Sequence, residues 1–119
     1  APAVRRQKTY SAESGYVYQY YYLGYRSASR GAEPGAEYVF DVSADRRLWF
    51  PVPVFVAAAS IASWQRAHQR DLNSTEQYAI AKLALFQAFD QREDPAAMTP
   101  EVRPTAEDVE SILTTLQID

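Results

Sequence analysis

The chain has 119 residues, of which 47% are hydrophobic and 23% charged, and its formal net charge is −3 at pH 7. This length suits one domain with a single core, and the composition is that of a folded globular protein rather than a disordered one. Cysteine is absent, which excludes disulfides, thiolate nucleophiles and cysteine-based metal sites.

The first residues are predicted to lie outside the folded domain. Residues 1–14 show no periodicity and carry Arg5, Arg6 and Lys8, so we expect a flexible basic arm followed by a single domain at residues 15–119. The chain contains no apolar run long enough for a membrane span, and APAVRRQKTY lacks the apolar segment of a secretory signal. A cytoplasmic location is therefore expected.

The first predicted strand is unusually rich in tyrosine. Six of the nine tyrosines lie in GYVYQYYYLGYR, residues 15–26, where Val, Tyr and Leu favour a β-strand and Gly24 is a candidate bulge. The next ten residues, SASRGAEPGA at 27–36, combine small polar residues with glycine and proline and predict a loop.

Two further strands are predicted, EYVFDV at 37–42 and LWFPVPVFV at 48–56, joined by the turn SADRR. Pro51 and Pro53 are two residues apart, so their missing N–H groups fall on the same side of the strand, and this side is predicted to be a sheet edge. The result is a three-stranded antiparallel meander, with the first strand at the opposite and less protected edge.

Three helical patterns follow the strands. The first is AAASIASWQRAHQR at 57–70, the second begins at Ser74 with Gln77 in a predicted capping box, and the third begins at Thr105 with Asp108. Apolar residues surround most of the second helix, which predicts a central position for it. The expected fold class is therefore α+β, in the order β-β-β-α-α-α, with the helices packed on one face of the sheet.

The tyrosines define the candidate binding surface. Side chains alternate along a strand, so four tyrosines of the first strand share one face. We expect Leu48, Phe50 and the valines of the third strand to pack against the helices, and the tyrosine row to lie on the reverse face. The alternative is that a helix covers the tyrosines and makes them part of the core. An exposed aromatic face predicts a protein partner, and its candidate residues are Tyr16, Tyr18, Tyr20, Tyr22, Trp49 and Phe55.

The function predicted from this surface is a non-enzymatic protein–protein interaction module, either a homodimer or a small subunit of a larger assembly. With one histidine and no glycine-rich nucleotide-binding motif, the sequence predicts no catalytic residue, cofactor or metal site. A second hypothesis is a small-molecule or catalytic pocket between sheet and helices, to which Tyr78 and Lys82 contribute. A third, single-stranded nucleic-acid binding on the aromatic sheet, is disfavoured by the excess of acidic residues.

Overall fold

A computed structural model describes residues 6–119 of the chain. Within this range the strands are β1 (Lys8–Ser11), β2 (Val17–Arg30), β3 (Glu33–Ser43) and β4 (Phe50–Ala57). The helices are α1 (Ala58–His68), α2 (Ser74–Gln91) and α3 (Ala106–Thr115), with a short 3₁₀ helix at Pro95–Met98 before α3. The strands form an antiparallel sheet in the order β1-β2-β3-β4. The α+β class and the antiparallel sheet are confirmed, but the predicted number of three strands is wrong.

The additional strand, β1, lies within the segment predicted to be a flexible arm, residues 1–14, of which residues 1–5 lie outside the described residues. Tyr10 holds it against α2, because its ring stacks on Phe86 at 4.3 Å between centroids and its hydroxyl donates to Asp90 Oδ2 at 2.8 Å. A strand of four residues has too little pattern to be recognised in a sequence, and the residues of α2 that Tyr10 contacts lie more than seventy positions further along the chain.

The predicted loop at residues 27–36 is wrong, because β2 and β3 continue through it to a two-residue turn. Arg30 pairs with Glu33, and Gly31 has a φ of 61° at the first central position of the turn, where hairpin geometry favours glycine. Pro34 is tolerated because the pairing of β3 with β4 ends at Gly35, so its missing N–H removes no bond between these strands.

The prolines of β4 mark a sheet edge, as predicted. Outside β4 lies a single bridging residue, Val102, whose N–H donates to Pro53 O and whose carbonyl accepts from Phe55 N, both at 2.9 Å. The other predicted edge is wrong over part of its length, because β1 pairs with Val17–Tyr20 of β2.

The expectation that the tyrosine row faces away from the helices is also wrong. Tyr22 lies opposite Phe40, and Phe40 lies opposite Val52, so the tyrosine and valine rows share one face. That face packs on α2, where Tyr18 stacks on Phe89 at 4.2 Å. Tyr18 and Tyr20 are therefore core residues and Tyr22 packs against the core, which is the alternative that the alternation pattern left open, whereas Tyr16 at the end of the row is exposed.

α2 is central, with both small and large apolar residues buried along it. Its N-cap lies one residue earlier than predicted, because Asn73 rather than Ser74 caps the helix and Glu76 rather than Gln77 completes the capping box. The box of Thr105 and Asp108 at the start of α3 is confirmed. No helix among residues 6–119 is long and apolar enough to cross a bilayer.

Candidate functional site

The tyrosine row is closed off by α2 in the isolated chain. Tyr18 and Tyr20 are buried, and Tyr22 is partly buried with its ring 4.6 Å from that of Tyr78. Burial raises the pKa of both Tyr20 and Tyr22 to about 12, because the surrounding apolar groups disfavour the charged phenolate. Tyr18, Tyr20 and Tyr22 therefore pack within the fold and do not form an exposed aromatic row.

Phe55 lies on the reverse face of the sheet, as expected, but it is fully buried. The guanidinium groups of Arg30 and Arg103 lie 4.6 Å and 5.4 Å from its ring centroid. Both arginines are ion-paired with Glu101, and Arg30 also pairs with Glu37 at 2.5 Å. This hydrogen bond from Arg30 lowers the pKa of Glu37. The cluster attaches residues 101–103 to the sheet and covers the Phe55 ring.

The remaining two partner-binding candidates, Tyr16 and Trp49, are brought together at one end of the sheet. They line an open, mainly apolar cleft of about 540 Å³ together with Leu48, which has 74% of its surface exposed. We call it the Leu48 cleft; its other lining residues are Ala44, Asp45, Phe50, Pro95, Ala96 and Thr99.

The turn between β3 and β4 places Leu48 at the rim of this cleft. Ser43 Oγ accepts from Arg46 N at 2.8 Å, and Asp45 Oδ1 accepts from Arg47 N and Leu48 N at 2.8 Å and 2.9 Å. These backbone N–H groups lower the pKa of Asp45 by stabilising its charged form. The turn delays the start of β4 until Phe50, so the expectation that Leu48 belongs to the strand and faces the core is wrong.

The opposite wall of the cleft is held by an arginine. Arg92 donates to the carbonyls of Ala97, Pro100 and Glu101 at 2.8–3.1 Å, which fixes the segment that contains Pro95, Ala96 and Thr99. The two segments that line the cleft are therefore each held by hydrogen bonds within the chain.

The residues of the second hypothesis do not meet in a cavity. Tyr78 packs on Tyr22 and Phe40, and the Lys82 ammonium lies 5.8 Å from the ring centroid of Phe86. A pocket of about 510 Å³ does lie between the sheet and α1, but other residues line it, among them Ser27, Ser29, Tyr38, Ile61, Gln65 and Gln77.

His68, the single histidine, stacks on Trp64 at 4.3 Å and its Nε2 lies 2.8 Å from Glu110 Oε1. This contact joins α1 to α3. Across residues 6–119 there is no group of three or more metal-ligating side chains that could hold an ion.

Comparison with models of protein families, with curated proteins and with solved structures finds no match for this chain.

Leu48 was missed as a site residue because the alternation of LWFPVPVFV assigns it to the core face. The signal for its exposure is local: Ser43 and Asp45 in SADRRL form side-chain-to-backbone turns, and these separate Leu48 from the strand. Pro95 and Ala96 could not be found from the sequence, because they approach Tyr16 only through the tertiary fold.

Proposed function

We propose that the chain is a non-enzymatic protein-interaction module, a small subunit of a larger assembly, whose Leu48 cleft receives an apolar side chain of a partner protein. The observation that carries this proposal is the exposure of Leu48 beside Trp49 and Tyr16, since large apolar side chains grouped at a concave surface are typical of binding sites. Tryptophan and tyrosine are also the residue types that contribute most binding energy at protein interfaces.

Two polar groups of the cleft are already engaged within the chain, which favours an apolar protein side chain over a small polar ligand. The Asp45 carboxylate accepts from the turn amides, and the Thr99 hydroxyl donates to the Ala96 carbonyl at 3.1 Å. A site for a small molecule needs polar groups that are free to orient it. An apolar side chain needs none, and it would remove the exposed surface of Leu48 from water.

The rigidity of the cleft favours tight binding. Ordering a mobile loop or side chain reduces the affinity of an interface, whereas walls that are already held lose little entropy on association. Here the turn hydrogen bonds hold one wall and Arg92 holds the other.

Selection from a random peptide library displayed on phage tests this function. The whole chain serves as bait, and the Leu48→Asp variant serves for counter-selection. We expect enriched peptides to share a bulky apolar residue, and their affinity to fall at least about tenfold on Leu48→Asp, because a buried carboxylate replaces an apolar contact.

Leu23→Asp is the matched control, since Leu23 is an exposed leucine that does not line the cleft. It should leave the affinity of the selected peptides unchanged. A library that yields no binder, or peptides that bind the Leu48→Asp variant as well as the original chain, would contradict the proposal.

A second candidate function is supported by the pocket between the sheet and α1. Its lining contains no charged residue, while hydroxyl and amide groups alternate with apolar surface, as in sites for small neutral molecules. A fragment screen by ligand-observed NMR tests this function, with Ala62→Phe as the variant that fills the pocket. Hits should disappear on this substitution; hits that persist, or an absence of hits, would rule the pocket out.

A further inference from the structure

The outer edge of β2 has no partner over most of its length among residues 6–119. β1 pairs with Val17–Tyr20, and beyond Tyr20 the register of β2 continues against β3 alone as far as Arg30. The end of this edge is accessible, because Tyr25 has 64% of its surface exposed and Ser27 and Ser29 are also exposed.

The main-chain groups that face this edge follow from the alternation of the sheet. Phe55 N and Pro53 O bond outwards to Val102, so the even-numbered residues of β4 direct their N–H and C=O groups towards β3. Carrying this alternation across the paired residues of β3 directs Arg26 and Ala28 towards β3. It leaves the main-chain groups of Tyr25, Ser27 and Ser29 pointing outwards.

The two edges of the sheet differ in how well they are protected from pairing with another strand. β4 carries Pro51 and Pro53 and is bridged by Val102, which are devices that prevent pairing with another strand. Residues 25–30 of β2 contain no proline, and the bulge between Tyr22 and Gly24 lies before them. An unprotected strand edge is a template for another strand.

We propose that two copies of this chain pair through this edge, antiparallel and about a two-fold axis at Ser27, so that the two sheets form one continuous sheet. Ser27 then lies opposite its equivalent, and Tyr25 of each chain lies opposite Ser29 of the other. The pairing adds about six main-chain hydrogen bonds, two for each of these three pairs. A two-fold interface of this kind is closed and ends at a dimer.

The positive charges of Arg26 and Arg30 favour this register over the two neighbouring registers. Only residues that both point outwards can form the bonded pairs, so allowed registers differ by steps of two in the sum of paired residue numbers. A shift in one direction sets Arg26 opposite its equivalent, and a shift in the other sets Arg26 opposite Arg30; like charges directly opposite each other are destabilising. The proposed register sets Arg26 opposite Ala28 and Arg30 opposite Gly24. Each arginine also keeps its ion pair with Glu37 of its own chain.

Cysteine cross-linking of the whole chain tests both the pairing and the register. Because the chain has no cysteine, a single introduced thiol can form a disulfide only between two copies. Bonded pairs in an antiparallel sheet have Cα atoms about 5.5 Å apart, within the range of a disulfide. Ser27→Cys should therefore cross-link to a dimer under mild oxidation.

Ser29→Cys is the matched control, since Ser29 is an exposed serine on the same strand. In the proposed register its two copies are separated by four residues along the strands, about 14 Å, which is too far for a disulfide. Equal cross-linking of both variants, cross-linking of Arg26→Cys in preference to Ser27→Cys, or no cross-linking at all would overturn the proposal.

Sedimentation equilibrium gives a test without a thiol. The original chain should show a dimer, and Ser27→Pro should shift it to a monomer, because proline removes an N–H that faces the partner and not β3. Far-UV circular dichroism and the melting temperature establish that the variant is folded. A folded Ser27→Pro variant that remains dimeric, or an original chain that is monomeric at all concentrations, would overturn the proposal.

The Leu48 cleft lies apart from this edge, so the peptide selection and the cross-linking can fail independently.

Discussion

Two stacked tyrosines on the same side of the sheet differ in what their hydroxyl groups meet. Tyr10 packs on Phe86 and donates to Asp90, whereas Tyr18 packs on Phe89 with a buried hydroxyl that has no hydrogen-bond partner among residues 6–119. Both rings bury apolar surface, but an unpaired buried hydroxyl loses its bonds to water without compensation. The same tyrosine side chain therefore stabilises the fold by different amounts at the two positions.

The substitution of each tyrosine by phenylalanine tests this difference. We expect Tyr18→Phe to raise the free energy of unfolding by about 1 kcal/mol, because it removes an unpaired buried group. Tyr10→Phe should lower it by about 1 kcal/mol, because the bond to the Asp90 carboxylate is lost. Urea unfolding with an unchanged m-value measures both; a loss of stability in Tyr18→Phe would show that its hydroxyl has a partner.

At the scale of an element, the start of α2 depends on the identity of one capping residue. Asn73 Oδ1 accepts from Glu76 N at 2.8 Å, and Glu76 Oε1 accepts from Asn73 N at 3.0 Å. Ser74, which the sequence pattern favours, is already inside the helix. Adjacent residues of similar capping preference cannot be told apart by pattern alone, because the choice depends on where the preceding chain enters the helix.

Alanine substitution distinguishes the two caps. Asn73→Ala should reduce the free energy of unfolding by about 1 kcal/mol, since an N–H at the first turn loses its acceptor. Ser74→Ala should leave it unchanged or slightly higher, because alanine is the better helix former. Thermal or urea unfolding measures the difference, and the opposite ranking would place the N-cap at Ser74.

The β2–β3 hairpin, also an element-scale feature, closes over the Phe55 ring at Gly35. A Cβ atom at this position would lie 2.5 Å from Val56 O and 2.6 Å from Phe55 Cζ. Neither the backbone of β4 nor a ring held between two arginines can move away freely. The close approach of β3 to β4 at this position therefore requires glycine.

Gly35→Ala should destabilise the chain by about 2 kcal/mol, which is typical of a methyl group forced into a packed region. Ala32→Ser, at the exposed turn of the same hairpin, is the control and should change stability by less than about 0.5 kcal/mol. Denaturant unfolding checks both values. If Gly35→Ala were neutral, the strands would not approach as closely as the structure shows.

At the scale of the whole molecule, the aromatic core makes stability depend on alkaline pH. Burial, with a hydrogen bond to Asp90, raises the pKa of Tyr10 to about 12, and burial does the same for Tyr20 and Tyr22. A group whose pKa is higher in the folded chain contributes stability that is complete below its unfolded pKa of about 10. That contribution is lost as the pH rises towards 12, because the unfolded chain releases its protons first.

We expect the urea midpoint to fall between pH 10 and pH 12, with tyrosinate absorbance at 295 nm rising in step with unfolding. Tyr20→Phe should flatten this dependence by up to about 1.4 kcal/mol per pH unit, the contribution of one proton. An unchanged slope in Tyr20→Phe would mean that its hydroxyl is not shielded from water.

Much of the fold could be predicted from the sequence because residue composition and the positions of proline are local properties. The β-rich stretches around Tyr20, Val39 and Val54, the helical periods after Ala57, and the proline-marked edge at Pro51 and Pro53 all have the predicted type and order. β1 and the tip of the hairpin were missed because β1 has only four residues and the small polar residues around Ser27 have little strand preference. Both take strand geometry from pairing with a neighbouring strand.

The candidate site was less predictable than the fold, for a geometrical reason. Side-chain alternation along β2 places one set of tyrosines on the face opposite to Val17, Gln19 and Tyr21; the set is Tyr16, Tyr18, Tyr20 and Tyr22. Alternation does not show which of the two faces a helix will cover. Of the six partner-binding candidates, Tyr16 and Trp49 line the Leu48 cleft. The other four are buried or packed against the core: Tyr18, Tyr20, Tyr22 and Phe55.

The amino-acid sequence by itself determined that this protein is an α+β domain with an aromatic sheet, because strand preference, helix period and proline act within a few residues. Only the tertiary structure decided that Phe86 and Phe89 of α2 cover Tyr18 and Tyr20, and that Pro95 and Ala96 line the same cleft as Leu48. Those outcomes join residues that lie far apart in the sequence, and no local pattern records that they are close in space.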